Sequence, residues 1–290
     1  MRPRPVDELE DDRYGLLPPE PPATPEHADS VMLALADLAA PSLTRYGSLP
    51  GLAANGHLQA ALKNQLNTGL SFVGGYVDAV GFVALMGLFP AHVTGELVSL
   101  SAELTAGDST ANHQALLAAL FLAGVVASVL LGRWLTTTKR SPYTLQLALL
   151  GTALCAFFGL GSCGMWFGGV DWVTAAASAA VFAMGIQNAI MRSALSGTLP
   201  TTVMTGNLTQ LITECLNWLC GRLDGSTERD QLAQSTRRMA TLARPLGAFF
   251  GGAILGAWLS RELGLLSIAV PAVLVVSLFL HAKAFERQVT

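Results

Sequence analysis

The feature that most constrains this chain is a polar motif that occurs twice within otherwise apolar sequence. The first copy contains Gly-Tyr-Val-Asp-Ala at 75–79 and Val-Thr-Gly-Glu-Leu at 93–97. The second copy contains Gly-Ile-Gln-Asn-Ala at 185–189 and Met-Thr-Gly-Asn-Leu at 204–208. A duplicated unit that carries polar groups inside apolar segments is a common plan of membrane transporters. The repeat is therefore the first indication of both fold and function.

Each copy also carries a third match. Leu-Gly-Arg-Trp-Leu at 131–135 resembles Leu-Gly-Ala-Trp-Leu at 255–259, which aligns Gly132 with Gly256. We predict four regions along the chain, one of which contains a polar loop. These are a disordered cytosolic tail at 1–62, a first membrane repeat at 66–165, a second at 166–283 with a polar loop at 221–240, and a short tail at 284–290.

The composition favours a membrane protein over a soluble one. The chain is 51% hydrophobic and only 13% charged, whereas soluble domains carry about 25% charged residues. Its formal net charge of −3 provides no basic surface for nucleic acid. We therefore expect the lipid bilayer as the main partner and exclude nucleic acid.

Six segments are long and apolar enough to cross about 30 Å of hydrocarbon as helices. They lie at 67–89, 114–135, 143–165, 173–192, 241–260 and 265–283. Two shorter, more polar segments follow the first span of each repeat, at 93–105 and 204–219. Each is preceded by a Pro-containing stretch that favours extended backbone. The fold predicted is an all-α polytopic membrane protein.

The charges of the loops determine whether the short segments cross the membrane. If both short segments are re-entrant, almost all lysines and arginines outside the spans lie on one side, together with both termini. The positive-inside tendency favours that arrangement. It leaves three spans in each copy, and an odd number forces the copies into opposite orientations. We predict two inverted repeats with six transmembrane helices and two re-entrant half-helices; the alternative is eight spanning segments.

Asp78 is the sharpest candidate for a functional residue. It lies in the middle of an apolar span, where a carboxylate costs several kcal/mol unless it is paired, hydrated or protonated. A carboxyl group buried in the middle of a span suits a proton-coupling role. The competing interpretation is a structural acid that bridges helices. The second copy has Asn188 at the matching position, beside Gln187. We expect these two amides to act as hydrogen-bonding partners.

The starts of the two half-helices are further candidates for a binding site. Thr94-Gly95 and Thr205-Gly206 open them, and the first amides of a helix have no partners inside the helix. In an inverted repeat the two starts approach each other near the membrane midplane. A small-molecule or ion site there competes with simple capping and packing of two short helices.

Three nearby polar residues complete the candidate set. Glu96 and Asn207 occupy matching positions just inside the half-helices, where negative charge can also serve ordinary capping. His92 precedes the first half-helix and is either a structural hydrogen-bonding group or a proton relay. Helix-start amides favour an anion, whereas Asp78 and Glu96 favour a cation or a proton. We predict no catalytic residue, metal site or cofactor.

The paired motifs resemble those of the YoaK-like family of multi-span membrane proteins, a domain of unknown function found in bacteria and fungi. The resemblance rests on 75–82 and 93–98 for the first motif, and on 184–189 and 201–209 for the second. It extends over 66–283. One departure is Glu96, where the family more often has asparagine after Thr-Gly. The resemblance implies an integral membrane protein and no defined substrate.

The function predicted is a secondary transporter or permease for a small polar solute or ion, coupled to protons through Asp78. The alternative is a membrane scaffold, or an intramembrane protein that acts on lipid without transport. We expect a protein of the plasma (inner) membrane that is not an enzyme and has both termini in the cytoplasm. Assembly with further copies of itself stays open.

Overall fold

The described part of the chain is a bundle of long helices. The structure, a computed structural model, describes residues 56–85, 87–106, 111–137, 142–198, 204–223 and 229–289. The α-helices within these ranges are α1 (Gly56–Ala84), α2 (Val93–Ala106), α3 (Ala111–Thr137), α4 (Pro142–Phe167), α5 (Val170–Arg192), α6 (Met204–Leu223), α7 (Arg229–Leu263) and α8 (Ala269–Val289). A 3₁₀ segment, Gly264–Ile268, joins the last two. The predicted all-α polytopic class is confirmed.

Four stretches of the described residues are long and apolar enough to cross a membrane. They are Asn112–Thr137, Tyr143–Phe167, Val170–Arg192 and the 58-residue stretch Asp230–Arg287. The last contains both α7 and α8 with the turn between them. Its length is about twice that of a single membrane helix. α1 is more polar, because its first half contains Lys63, Asn64, Gln65 and Asn67.

Two regions predicted to be irregular are helical. The predicted tail at 1–62 includes the first turns of α1, which begins at Gly56; residues 1–55 lie outside the described part. The predicted polar loop at 221–240 consists largely of helix, because α7 begins at Arg229 and continues through Pro245. The exposed first turns of α7 contact α6, because Ser235 and Arg238 both contact Glu214 of that helix. The first part of α7 lacks an apolar run, so the sequence pattern did not predict this helix.

The first span also ends earlier than predicted, at Ala84 rather than at residue 89. Gly87 adopts a positive φ of 89°, a conformation that glycine reaches without strain. Gly81 faces the carbonyl of Leu88 and the ring of Pro90, so the segment after α1 folds back along the helix. This reversal places the residues before α2 beside α1.

Contacts along the helices give their relative directions. On α1, Gly69 faces Leu278 of α8, whereas the Tyr76 hydroxyl donates to the Ser267 carbonyl at 2.9 Å. Residue numbers rise on α1 as they fall on α8, so these helices are antiparallel.

α4 is likewise antiparallel to α8, because Gly151 faces Val275 and Gly161 faces Leu265. α1 and α4 therefore share one direction. α5 reverses it after the two-residue connection Gly168-Gly169. The first helices of the two repeats, α1 and α5, thus run in opposite directions, in agreement with an inverted repeat.

The closest helix packing joins helices that belong to different repeats. α1 packs along α7, and its counterpart α5 packs along α3. In the first pair, a methyl group added at Gly75 would lie 2.1 Å from the carbonyl oxygen of Phe249. One added at Gly252 would lie 2.1 Å from that of Phe72. Only glycine allows two helix backbones to approach so closely.

The second helix pair repeats this contact. A methyl group at Gly185 would lie 2.2 Å from the carbonyl oxygen of Phe121, and one at Gly124 would lie 2.3 Å from that of Phe182. Packing therefore matches Gly124 of α3 with Gly252 of α7. The third sequence match, which aligns Gly132 with Gly256, is displaced by about one helical turn from this register.

Adjacent glycines on α7 provide a test of this packing. We expect Gly252→Ala to lower the unfolding free energy by about 1–3 kcal/mol, because its methyl group would meet the Phe72 carbonyl. Gly251→Ala is the control, since no neighbouring atom lies within 4 Å of the added methyl group. It should raise stability by about 0.5–1 kcal/mol, because alanine favours helix. Thermal unfolding in detergent measures both, and equal shifts would contradict the close contact.

Candidate functional site

Asp78 lies at the centre of a compact polar site. It is 5% exposed and belongs to the buried face of α1. Its Oδ1 accepts a hydrogen bond from the backbone N–H of Ala91 at 2.7 Å. Its Oδ2 lies 2.5 Å from Nδ1 of His92. The acid is therefore paired with a side chain and a backbone amide from the segment that folds back after α1.

His92 connects this site to a third element. Its side chain is 31% exposed, and its ring forms a T-shaped contact with the Phe249 ring on α7, with centroids 6.0 Å apart. When Nδ1 carries the proton, it donates to the Asp78 carboxylate and leaves Nε2 as the nitrogen that can exchange a proton with its surroundings. The geometry thus provides a buried acid linked to a more accessible imidazole.

The start of α2 is arranged around the same turn. Glu96 lies in the first helical turn, is 9% exposed, and accepts a long hydrogen bond of 3.5 Å from the backbone N–H of Phe89. The Gly95 N–H donates to the His92 carbonyl at 3.1 Å. Thr94 and Gly95 are both exposed. Glu96 in this position stabilises the turn that presents His92 to Asp78.

The two amides of the second copy have different partners. Gln187 Nε2 donates to the Leu70 carbonyl of α1 at 3.0 Å, and Asn188 Nδ2 donates to the Met184 carbonyl of its own helix at 3.1 Å. The side-chain oxygens of Gln187 and Asn188 are buried without a hydrogen-bond partner among the described residues. Leu70 lies about two helical turns, or ~12 Å along α1, from Asp78. The structure therefore separates these amides from the acid.

The remaining candidates lie on α6. Thr205 and Gly206 are exposed, whereas Asn207 is 6% exposed. Within the described ranges, α2 packs on α3 and α6 packs on α7, and no packing of similar extent joins α2 to α6. A shared site between the two half-helix starts stays a prediction. The preceding segment, 199–203, lies outside the described residues.

A polar cleft that the sequence interpretation missed opens at the other end of α1. Its volume is about 850 Å³, and it lies between the first half of α1, the residues after α5, α6 and the first half of α7. Its polar lining includes Asn64, Gln65, Asn67, Thr68, Thr198, Gln210, Gln234, Arg237, Arg238, Thr241 and Arg244. The available signal is the cluster of amides at 64–67 and of arginines at 237–244. The sequence alone places the first cluster at the edge of a span and most of the second in or beside a polar loop.

Comparison with known proteins points to a membrane family. Residues 66–281 match the family described as protein of unknown function (DUF1275). The UPF0700 transmembrane protein YoaK of Bacillus subtilis (strain 168) is 26% identical over 228 residues, which cover 77% of this chain and 96% of that relative. No solved structure matches the chain.

The contact between Asp78 and Ala91 predicts protection of the turn before α2. We expect Asp78→Ala to speed hydrogen exchange at the Ala91 amide by roughly ten- to a hundredfold, because a hydrogen bond to a charged group contributes about 1.5–3 kcal/mol. Asp171→Ala, which alters an exposed acid at the start of α5, is the control. Mass spectrometry of the 87–93 peptide gives the measurement, and unchanged exchange would contradict the contact.

Proposed function

This chain belongs to the DUF1275 family, and we propose that it is a secondary permease that couples movement of a small polar solute to protons through Asp78 and His92. That the protein is integral to a membrane follows from its transmembrane relative and its apolar helices. The observation that carries the proposal is the contact between the buried Asp78 and the partly exposed His92. A buried acid paired with an imidazole in an apolar bundle has the chemistry of a proton-carrying site.

The position of the pair relative to the cleft supports this proposal. Thr241 and Pro245 of α7 line the cleft. Phe249 lies one helical turn beyond Pro245, about 6 Å along the axis, and contacts His92. Loading or release of a proton at His92 would therefore alter the surroundings of a residue close to the inner end of the cleft. Coupling requires such proximity between the proton site and the solute site.

Helix directions support re-entrance of the two short helices. α1 and α4 are parallel. Gln146 of α4 donates to the Ser128 carbonyl of α3, and α4 begins five residues after α3 ends, so these two helices are antiparallel. α1 therefore ends at the end of the bundle at which α3 begins. We infer that α2 leaves and returns on that side. By the inverted repeat, α6 does the same on the other side, where the arginine-rich start of α7 favours the cytoplasm. We propose that both termini then lie in the cytoplasm and that the membrane is the plasma (inner) membrane.

A role as a scaffold, or in acting on lipid, is the competing function. It needs neither proton movement nor solute flux. A flux measurement on the purified protein therefore distinguishes the two functions, even while the identity of the solute is open.

Proteoliposomes that contain the full chain and an internal pH-sensitive dye provide the experiment. We expect one or more solutes from a panel of small polar compounds and ions to move protons in a pH gradient. Asp78→Asn should reduce that proton movement to the level of empty vesicles, because the amide cannot exchange a proton at this position.

Asp171→Asn is the matched control, since it removes an exposed carboxylate from the start of another long helix. It should leave the flux unchanged. Normal proton-coupled flux in Asp78→Asn would remove Asp78 from the mechanism. Absence of flux for the whole panel in the unaltered protein would favour the scaffold function.

A further inference from the structure

The cleft between α1, α6 and α7 has the charge of an anion site. Arg237, Arg238 and Arg244 line it, and no aspartate or glutamate is among its described lining residues. We propose that this cleft binds a small anion that carries phosphate or carboxylate groups. Its volume of about 850 Å³ falls in the range of small-molecule pockets, roughly 300–1,000 Å³.

The charge of the arginines is only partly neutralised. Arg238 Nη1 lies 3.6 Å from Oε1 of Glu214, whose other oxygen accepts a hydrogen bond from Ser235 at 3.3 Å. For Arg237 and Arg244, no acidic partner lies within 4.0 Å among the described residues. Among the described residues, one acid, which contacts Arg238 alone, therefore neutralises part of the charge of three guanidinium groups. A concave site lined by one sign of charge concentrates ions of the opposite sign.

The uncharged lining supplies further hydrogen-bond donors. Asn64 and Gln65 of α1, Gln210 of α6 and Gln234 of α7 each carry an amide NH₂ group. The planar guanidinium fork matches phosphate and carboxylate oxygens in pairs, and the amides can bind the remaining oxygens. Donors from three helices therefore converge on one volume, in an arrangement that suits an oxyanion better than a cation.

The general preference for positive charge at the cytoplasmic end does not explain this arrangement. Arg192 and Arg222 also lie near this end of the bundle and are exposed like the cleft arginines, but they are not among the cleft residues. Arg222 stacks over the Trp218 ring at 5.2 Å. Charge on the outside of the bundle would satisfy the positive-inside tendency equally well. These two arginines consequently provide a charge-matched control.

The identification of the anion as the transported solute rests on the proposed function, whereas its binding does not. Binding can be measured on the full chain without any flux. Binding without flux would leave the cleft assignment intact and weaken the proposal of transport. Proton-coupled flux of a neutral solute without anion binding would support transport and remove the cleft assignment.

Isothermal titration of the full chain in neutral detergent with inorganic phosphate, at constant ionic strength, is the first experiment. We expect saturable binding with one phosphate for each chain. The double variant Arg237→Gln/Arg244→Gln should weaken it by about a hundredfold, at roughly tenfold for each guanidinium group removed. Arg192→Gln/Arg222→Gln, which removes the same charge outside the cleft, should bind phosphate like the unaltered protein.

The phosphate group of an anionic lipid offers the same chemistry from a second source. Nanodiscs of phosphatidylcholine with and without phosphatidylglycerol distinguish the sources. If the headgroup is the ligand, phosphatidylglycerol should compete with free phosphate in the unaltered protein. If the ligand is a soluble anion, phosphate should bind equally well in both nanodiscs.

Two results would overturn the proposal. The first is a combined result: phosphate does not bind saturably, and the two double variants retain phosphatidylglycerol equally. The other is equal loss of phosphate affinity in both double variants, because a general effect of net charge would then account for binding. Their thermal unfolding curves establish that both double variants are folded.

Discussion

The close contact between helix backbones from different repeats is the constraint on which the rest of this structure depends. At Gly75 and Gly252, and again at Gly124 and Gly185, a carbonyl oxygen of one helix occupies the space where a side chain would begin on the other. Since α1 belongs to the first repeat and α7 to the second, neither copy has a complete core of its own. The position of Phe249 beside His92, and the wall that α1 and α7 form along the cleft, both follow from this packing.

The sequence alone predicts the membrane class, the two copies and the short helices. The limits of α2 agree with the predicted segment within one residue, because Pro90 prevents helix before it and the apolar residues of 93–105 continue through it. The polar first halves of α1 and α7 could not be found in the same way. Each is supported by contacts with another helix, such as that of Arg238 with Glu214, rather than by an apolar run of its own.

The candidate site was predictable in its residues but not in its contacts. Asp78 and His92 both stand out in the sequence, yet their pairing depends on the turn at Gly87 and Pro90. The amide groups of Gln187 and Asn188 stand out in the sequence as hydrogen-bonding groups, but the sequence does not show that each donates to a backbone carbonyl. The cleft draws its lining from segments that are far apart in sequence, so no local pattern indicated it.

The packing of α1 on a helix of the other repeat has a consequence for how the protein enters the membrane. α1 is synthesised before α3, α4, α5 and α6, whereas its main packing partner, α7, follows all of them. Its buried acid and polar first half give α1 little affinity for lipid on its own. We therefore expect stable insertion of α1 to depend on the arrival of α7. Assembly of this bundle is thus a late event in which the last helices complete the site that the first helix began.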